Sequence, residues 1–274
     1  MAGTTRVRMY AAALLLVLAG LAGGAAQAAP CIGDAPTRVT GQRECLAVRM
    51  FRSAEISPAP ALVVVVHGDI NNSASAAATT HVPIAESLAA DHRNLVVAAL
   101  WRPGYHDGAG NASTGESHGH IDNYTAANVD EVAGAVAALK RRTNASRTIF
   151  VGFSGGGAFA ALVIGRHPGL VDGAAVIACP CDLVAWRRNR NVRLWTRSES
   201  PSDYLARVPT TTRVVAIAGD RDTTTPAYLT RDYAERLAAR GVPARAWIIP
   251  AGTHLSVFRR DIVSPVVGEL LAAR

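Results

Sequence analysis

Short apolar runs alternate along this chain with longer amphipathic stretches. Ala61-Leu-Val-Val-Val-Val66 is an unbroken, mostly β-branched run, the form taken by a strand buried on both faces. Glu44–Arg52 alternates apolar and polar positions and predicts an earlier, partly exposed strand. Further strands are predicted over Asn94–Trp101, Arg147–Val151, Gly173–Ala178, Thr212–Ala218 and Ala244–Ile249. Between them lie helical patterns. Thr80–Asp91 carries Pro83 in its first turn, where a missing N–H costs no hydrogen bond. Thr125–Arg142 places Val129, Val132, Val136 and Leu139 on one face and basic residues in its last turn. Helices are also predicted from Gly157 to about Arg166, over Ala227–Arg240 and over Asp261–Ala273. Strands alternating with helices predict a doubly wound, mostly parallel α/β sheet with helices on both faces. Ligands of such sheets sit at the carboxyl ends of the strands. Residues 182–208 break the alternation: they are polar, arginine-rich and interrupted by Ser200-Pro201, and read as an insertion or lid.

The first residues have another character. Arg6 and Arg8 precede the uncharged run Met9–Leu21, and Ala26-Gln27-Ala28 follows. A basic segment, a short apolar core and a small-x-small site predict a secretory signal peptide over residues 1–28, leaving a single domain over 29–274. The expected location is secreted or periplasmic, without a membrane partner once the leader is removed. The chain's formal charge of +7 becomes +5 without Arg6 and Arg8. No block of basic residues interleaved with aromatics suggests nucleic-acid binding. The cluster Arg187-Arg188-Asn189-Arg190 reads as a solvated face or as a contact for an anionic substrate. Export favours disulfides among Cys31, Cys45, Cys179 and Cys181. Cys31–Cys45 is the favoured pair. Cys179 and Cys181 are separated by one residue, too close for an ordinary bridge, and are expected bonded to each other or free. No histidine stands at zinc-ligand spacing from either pair.

The candidate chemistry centres on Gly152-Phe153-Ser154-Gly155-Gly156, between a predicted strand and a predicted helix. That is the sequence form of a nucleophile elbow: the serine sits on a sharp turn, and the glycines let neighbouring backbone pack close. A serine hydroxyl needs a base, and the base an orienting acid. Later strand ends supply both, in Gly219-Asp220-Arg221-Asp222 and in Gly252-Thr253-His254. His254 is the expected base. Asp220 and Asp222 both fit the acid by position, and only one can point at His254. The order Ser, Asp, His is that of α/β-hydrolases. The expected oxyanion donors are the backbone amides of Gly155, just after the nucleophile, and of Asp69, in the turn His67-Gly68-Asp69. His67 itself reads as structural. His106, Asp107, His118, His120 and Asp122 flank a Gly/Asn/Ser loop, read as a mobile loop at the substrate entrance or, less favourably, as a metal site. Tyr105 could line the pocket, help hold a substrate carbonyl, or simply pack.

Taken together, His67-Gly68, the elbow, Gly219-x-x-Asp222 and Gly252-Thr-His254 resemble the α/β-hydrolase superfamily over roughly residues 60–272. Within it the chain resembles the prolyl-oligopeptidase and dienelactone-hydrolase-like branch, as a free-standing catalytic domain. The resemblance implies Asp222 as the acid and an acyl-enzyme mechanism without cofactor or metal. The expected function is an exported serine hydrolase acting on a small ester, amide or short peptide, with an esterase favoured over a small peptidase. A non-catalytic binding protein on the same fold is the remaining reading, disfavoured by the complete Ser/Asp/His set. Trp186, Trp195 and Tyr204 are expected to give the pocket mouth its apolar surface.

Overall fold

The computed structural model describes residues 35–70 and 78–272, together with Met1 and Cys31. The expected leader, apart from Met1, lies outside the described residues. The strands are β1 (Arg38–Thr40), β2 (Cys45–Arg52), β3 (Ala61–Val66), β4 (Leu95–Leu100), β5 (Arg147–Phe153), β6 (Gly173–Ile177), β7 (Arg213–Gly219) and β8 (Ala244–Ile249). They form one sheet in the order β1-β2-β4-β3-β5-β6-β7-β8. From β4 to β8 every pairing is parallel, and β1 and β2 join antiparallel. This is the open, mostly parallel sheet that the alternating pattern predicts.

The helices are α1 (Val82–Asp91), α2 (Ala126–Thr143), α3 (Gly155–Arg166), α4 (Leu183–Asn189), α5 (Ala227–Ala238) and α6 (Arg260–Ala272). Successive side chains of a strand point to opposite faces, and β3 shows how this splits the core. Leu62, Val64 and Val66 pack on one side with residues of α2, α3 and α5. Val63 and Val65 pack on the other with residues of α1 and α6. The capping of α2 follows its sequence: the Thr125 side chain accepts from Asn128 N, and Asn144 closes the other end in a left-handed conformation.

Both disulfides form. Cys31–Cys45 spans a Cα separation of 5.1 Å. Cys179–Cys181 spans 5.0 Å, which corrects the expectation that one intervening residue leaves the thiols too close. The backbone at Pro180, the one residue between them, sets the two α-carbons at a separation that a disulfide spans. After β6, residues 182–208 form α4 and a 3₁₀ turn over Pro201–Arg207 before the chain returns to β7. The Asp122 carboxylate pins this segment by accepting from the backbone N–H groups of Thr196, Arg197 and Ser198.

Candidate active site

Ser154 stands between β5 and α3 with φ 54° and ψ −117°. A β-carbon makes that conformation costly, and it persists only where the surroundings enforce it. Here Ser154 N donates to Ile177 O at 2.8 Å, and Ala158 N donates to Ser154 O at 3.1 Å. A β-carbon on Gly152 would collide with the Gly156 backbone, so the elbow needs its glycine there. The helix therefore starts at Gly155, two residues before the predicted Gly157. Its first amide and its dipole face the serine.

The ends of β7 and β8 bring the other two groups to Ser154. His254 Nε2 accepts from Ser154 Oγ at 3.0 Å. His254 Nδ1 donates to Asp222 Oδ2 at 2.8 Å. Asp222 is buried, and its Oδ1 accepts from Thr224 N and Thr225 N, both at 2.8 Å. Burial pushes the Asp222 carboxyl up, but the hydrogen bonds from His254 and Thr225 outweigh it and leave the group below the usual carboxylate range. Asp220 is exposed and lies outside this chain of bonds. The two loops are laced together: Arg221 N donates to Gly252 O at 2.9 Å, and Gly219 and Gly252 approach so closely that a β-carbon on Gly219 would strike the Gly252 backbone. Phe153 supports them from below, 5.1 Å from the His254 ring and stacked on Phe258 at 4.7 Å.

A family model described as serine aminopeptidase, S33, matches residues 57–260. The chain belongs to that family. Within the α/β-hydrolase superfamily, solved structures share its fold. Est1E from Butyrivibrio proteoclasticus, with ferulic acid bound, has a TM-score of 0.63 at 14% identity, covering 85% of this chain and 97% of that one. An esterase from Pyrococcus furiosus, Pf2001, has a TM-score of 0.64 at 14% identity over 85% and 88%. Proline iminopeptidase from Mycobacterium smegmatis has a TM-score of 0.61 at 16% identity over 86% and 99%. No curated protein sequence matches the chain.

The turn after β3 is the other wall of this S33-family site. Arg102 is almost wholly buried, and its Nη2 donates to Gly68 O at 3.0 Å and to Asp69 Oδ1 at 2.7 Å. His67 Nδ1 donates to the same Gly68 carbonyl at 2.7 Å, and His67 Nε2 accepts from Arg102 N at 3.2 Å. Burial, and then the charge of Arg102, holds His67 well below the ordinary histidine range. It is a neutral structural group, as its position before the serine suggests. A trans peptide sets its C=O and N–H on opposite sides. With the Gly68 carbonyl turned to Arg102, the Asp69 N–H faces the other way. The turn is close to the nucleophile, since a β-carbon on Gly68 would lie 3.0 Å from Ser154 Cβ. The Asp69 carboxylate is tied down by Arg102 and by the Tyr124 hydroxyl.

Sequence reasoning did not single out Thr225, Arg102 or Tyr124. Thr225 Oγ1 donates to Asp222 Oδ2 at 2.8 Å and lies 3.0 Å from the Ala178 carbonyl. Its only sequence signal is a run of three threonines after Asp222. The remaining candidates separate. Tyr105 packs, with its ring 4.6 Å from His67 and beneath the Arg102 guanidinium. His120 faces the cavity over Ser154, whereas His106 Nδ1 accepts from Gly108 N. Asp122 holds residues 196–198. Among the described residues no three such side chains converge as a metal site would require. Trp186 and Trp195 line the cavity, and Tyr204 does not. Tyr204 packs over Gly165 of α3, and its hydroxyl accepts from Arg166 at 3.1 Å. The 3₁₀ turn carries it away from the mouth.

Proposed function

We propose that this protein is an exported serine hydrolase that cleaves a carboxylic ester of a small substrate through an acyl-enzyme. The observation that carries the reading is the hydrogen-bonded chain Ser154–His254–Asp222, whose Ser154 and His254 line a cavity of about 550 Å³. Ser154 Oγ attacks the carbonyl carbon while its proton passes to His254 Nε2. Asp222 holds the imidazole in the tautomer that can receive it and stabilises the resulting imidazolium. The Gly155 and Asp69 amides receive the charge that develops on the carbonyl oxygen. The imidazolium then protonates the leaving group, the C–O bond breaks, and water repeats the sequence on the acyl-enzyme. Residues 182–208 act as a partial cover, with α4 contributing Trp186 to the wall.

A small peptidase is the second reading, favoured by the description of the matching family. Charge argues against an aminopeptidase. Such an enzyme must hold a substrate ammonium, and the cavity's exposed charges are arginines, with Asp69 already neutralised. Comparing kcat/KM on p-nitrophenyl acetate and butyrate, long-chain esters and aminoacyl-naphthylamides decides between them. Short esters are expected to lead. Efficient amide hydrolysis with marginal ester turnover would replace the esterase by the peptidase. Two disulfides support an oxidising compartment. The exported form should have the intact mass of a chain beginning at Ala29, and a retained leader would count against export.

Arg102 is a positioning residue in this reading, because it fixes the sense of the Gly68–Asp69 peptide. Arg102→Lys keeps the charge and loses the planar fork. It is expected to lower kcat about a hundredfold, with KM within about threefold, since the lost contact matters chiefly in the transition state. Steady-state kinetics checks this, and an unchanged kcat would remove the Asp69 amide from the mechanism.

A further inference from the structure

The cavity over Ser154 carries an unbalanced charge. Arg187, Arg190 and Arg221 line it. None of the three is ion-paired with a carboxylate among the described residues. Asp69, the one carboxylate among the cavity's lining residues, is occupied, as are Asp222 and Asp122. Asp69 is bound by Arg102 and Tyr124, and Asp222 lies behind His254. Asp122 is engaged by three backbone N–H groups and by Arg197.

Arg187 and Arg190 are also held in place. The Arg187 guanidinium lies 5.6 Å from the Trp186 ring centre and 5.0 Å from that of Trp195, and its Nε donates to Arg193 O at 2.8 Å. Arg190 lies over Trp186 at 5.4 Å. Trp186 itself is anchored, its Nε1 donating to Thr224 O at 2.7 Å. Thr224 N in turn donates to Asp222 Oδ1, so the indole platform is fixed to the turn that orients His254. Two cations share one indole. Burial, and then the neighbouring charge of Arg190, lowers the Arg187 guanidinium from its ordinary range. An anion between them would relieve that repulsion. A planar guanidinium presents paired N–H donors that match a carboxylate.

We propose that Arg187 and Arg190 on the Trp186–Trp195 platform, with Arg221 also lining the cavity, form a carboxylate subsite, and that the substrate is an ester bearing a carboxylate. This rests on the reading of Ser154 as the nucleophile. The carboxylate belongs to either the acyl chain or the leaving group, and paired substrates distinguish the two. p-Nitrophenyl hemiglutarate against p-nitrophenyl valerate tests the acyl side. 4-Acetoxybenzoate against 4-methylphenyl acetate, each corrected for its uncatalysed hydrolysis, tests the leaving-group side.

The mature protein is expected to favour the anionic member of at least one pair by about tenfold or more in kcat/KM at low salt. The preference should shrink as salt screens the subsite. It should fall to near parity in the Arg187→Gln/Arg190→Gln double variant. Arg188→Gln, an exposed change on the same helix that does not line the cavity, should leave it intact. Equal kcat/KM within both pairs, or a preference that survives in the double variant, overturns the subsite. Labelling of Ser154 by a fluorophosphonate separates the two failures. Labelling and neutral-ester turnover without charge preference refute the subsite alone. Absence of both refutes the hydrolase reading and the subsite with it.

Discussion

Ser154→Ala is expected to lower kcat by about a million-fold, the scale seen when the nucleophile of a serine triad is removed. The change deletes one hydroxyl. It leaves the strained turn, the His254–Asp222 bond and the proposed oxyanion donors in place, so substrate still binds and KM should move little. A fluorophosphonate probe gives an independent measurement. It should modify Ser154 in the wild type, because His254 Nε2 accepts the Ser154 proton at 3.0 Å and so activates the oxygen. The probe should leave the variant unmodified. Labelling that persists in Ser154→Ala would place the nucleophile elsewhere. Labelling that is lost while ester turnover survives would mean that the measured hydrolysis does not pass through this serine.

Most of the sheet was readable from hydrophobic pattern, because a strand buried on both faces has no choice but to be apolar throughout. Ala61–Val66 and Leu95–Leu100 are such runs, and they stand beside each other as β3 and β4. The three-residue β1 was not readable. It is an edge strand held by backbone pairing to β2, and Arg38-Val39-Thr40 has too few side chains to show a period. The first turn of α3 was missed for a different reason. Three consecutive glycines are poor helix formers. The tertiary demand for close packing at the elbow overrides that propensity. Tyr204 was misplaced because an aromatic in a polar insertion looks the same whether it faces a pocket or packs on a helix. Cys179–Cys181 was left open between bonded and free because sequence separation is a poor proxy for whether two thiols can meet, and the structure bonds them.

At the site, strand ends announced the positions of Ser154 and His254, since parallel sheets gather such ends along one edge. The groups that orient them were silent. Arg102 follows an apolar strand and precedes Pro103-Gly104, the ordinary setting of a solvated loop arginine. Its burial becomes visible only once the His67–Asp69 turn is packed against it. Thr225 could not be told from Thr223 and Thr224, because the choice depends on which hydroxyl the turn aims at Asp222.

The choice between Asp220 and Asp222 was equally open by spacing, and it yields the second large prediction. Asp222→Asn is expected to lower kcat about ten-thousand-fold, by analogy with the same change in other triads. An amide in place of the carboxylate can offer an N–H to His254 Nδ1. The ring then carries its proton on Nε2, where it can no longer accept from Ser154. The Thr224 and Thr225 amides still have an oxygen to bond, so the fold should survive. Asp220→Asn, at an exposed position, is expected to change kcat by less than about twofold. Kinetics on the two variants, with thermal unfolding to confirm that both fold, makes the comparison. A large loss in Asp220→Asn with near-normal activity in Asp222→Asn would move the acid to Asp220. It would also require the loops after β7 and β8 to rearrange in solution, because the observed turn directs Asp222, and not its neighbour, at the imidazole.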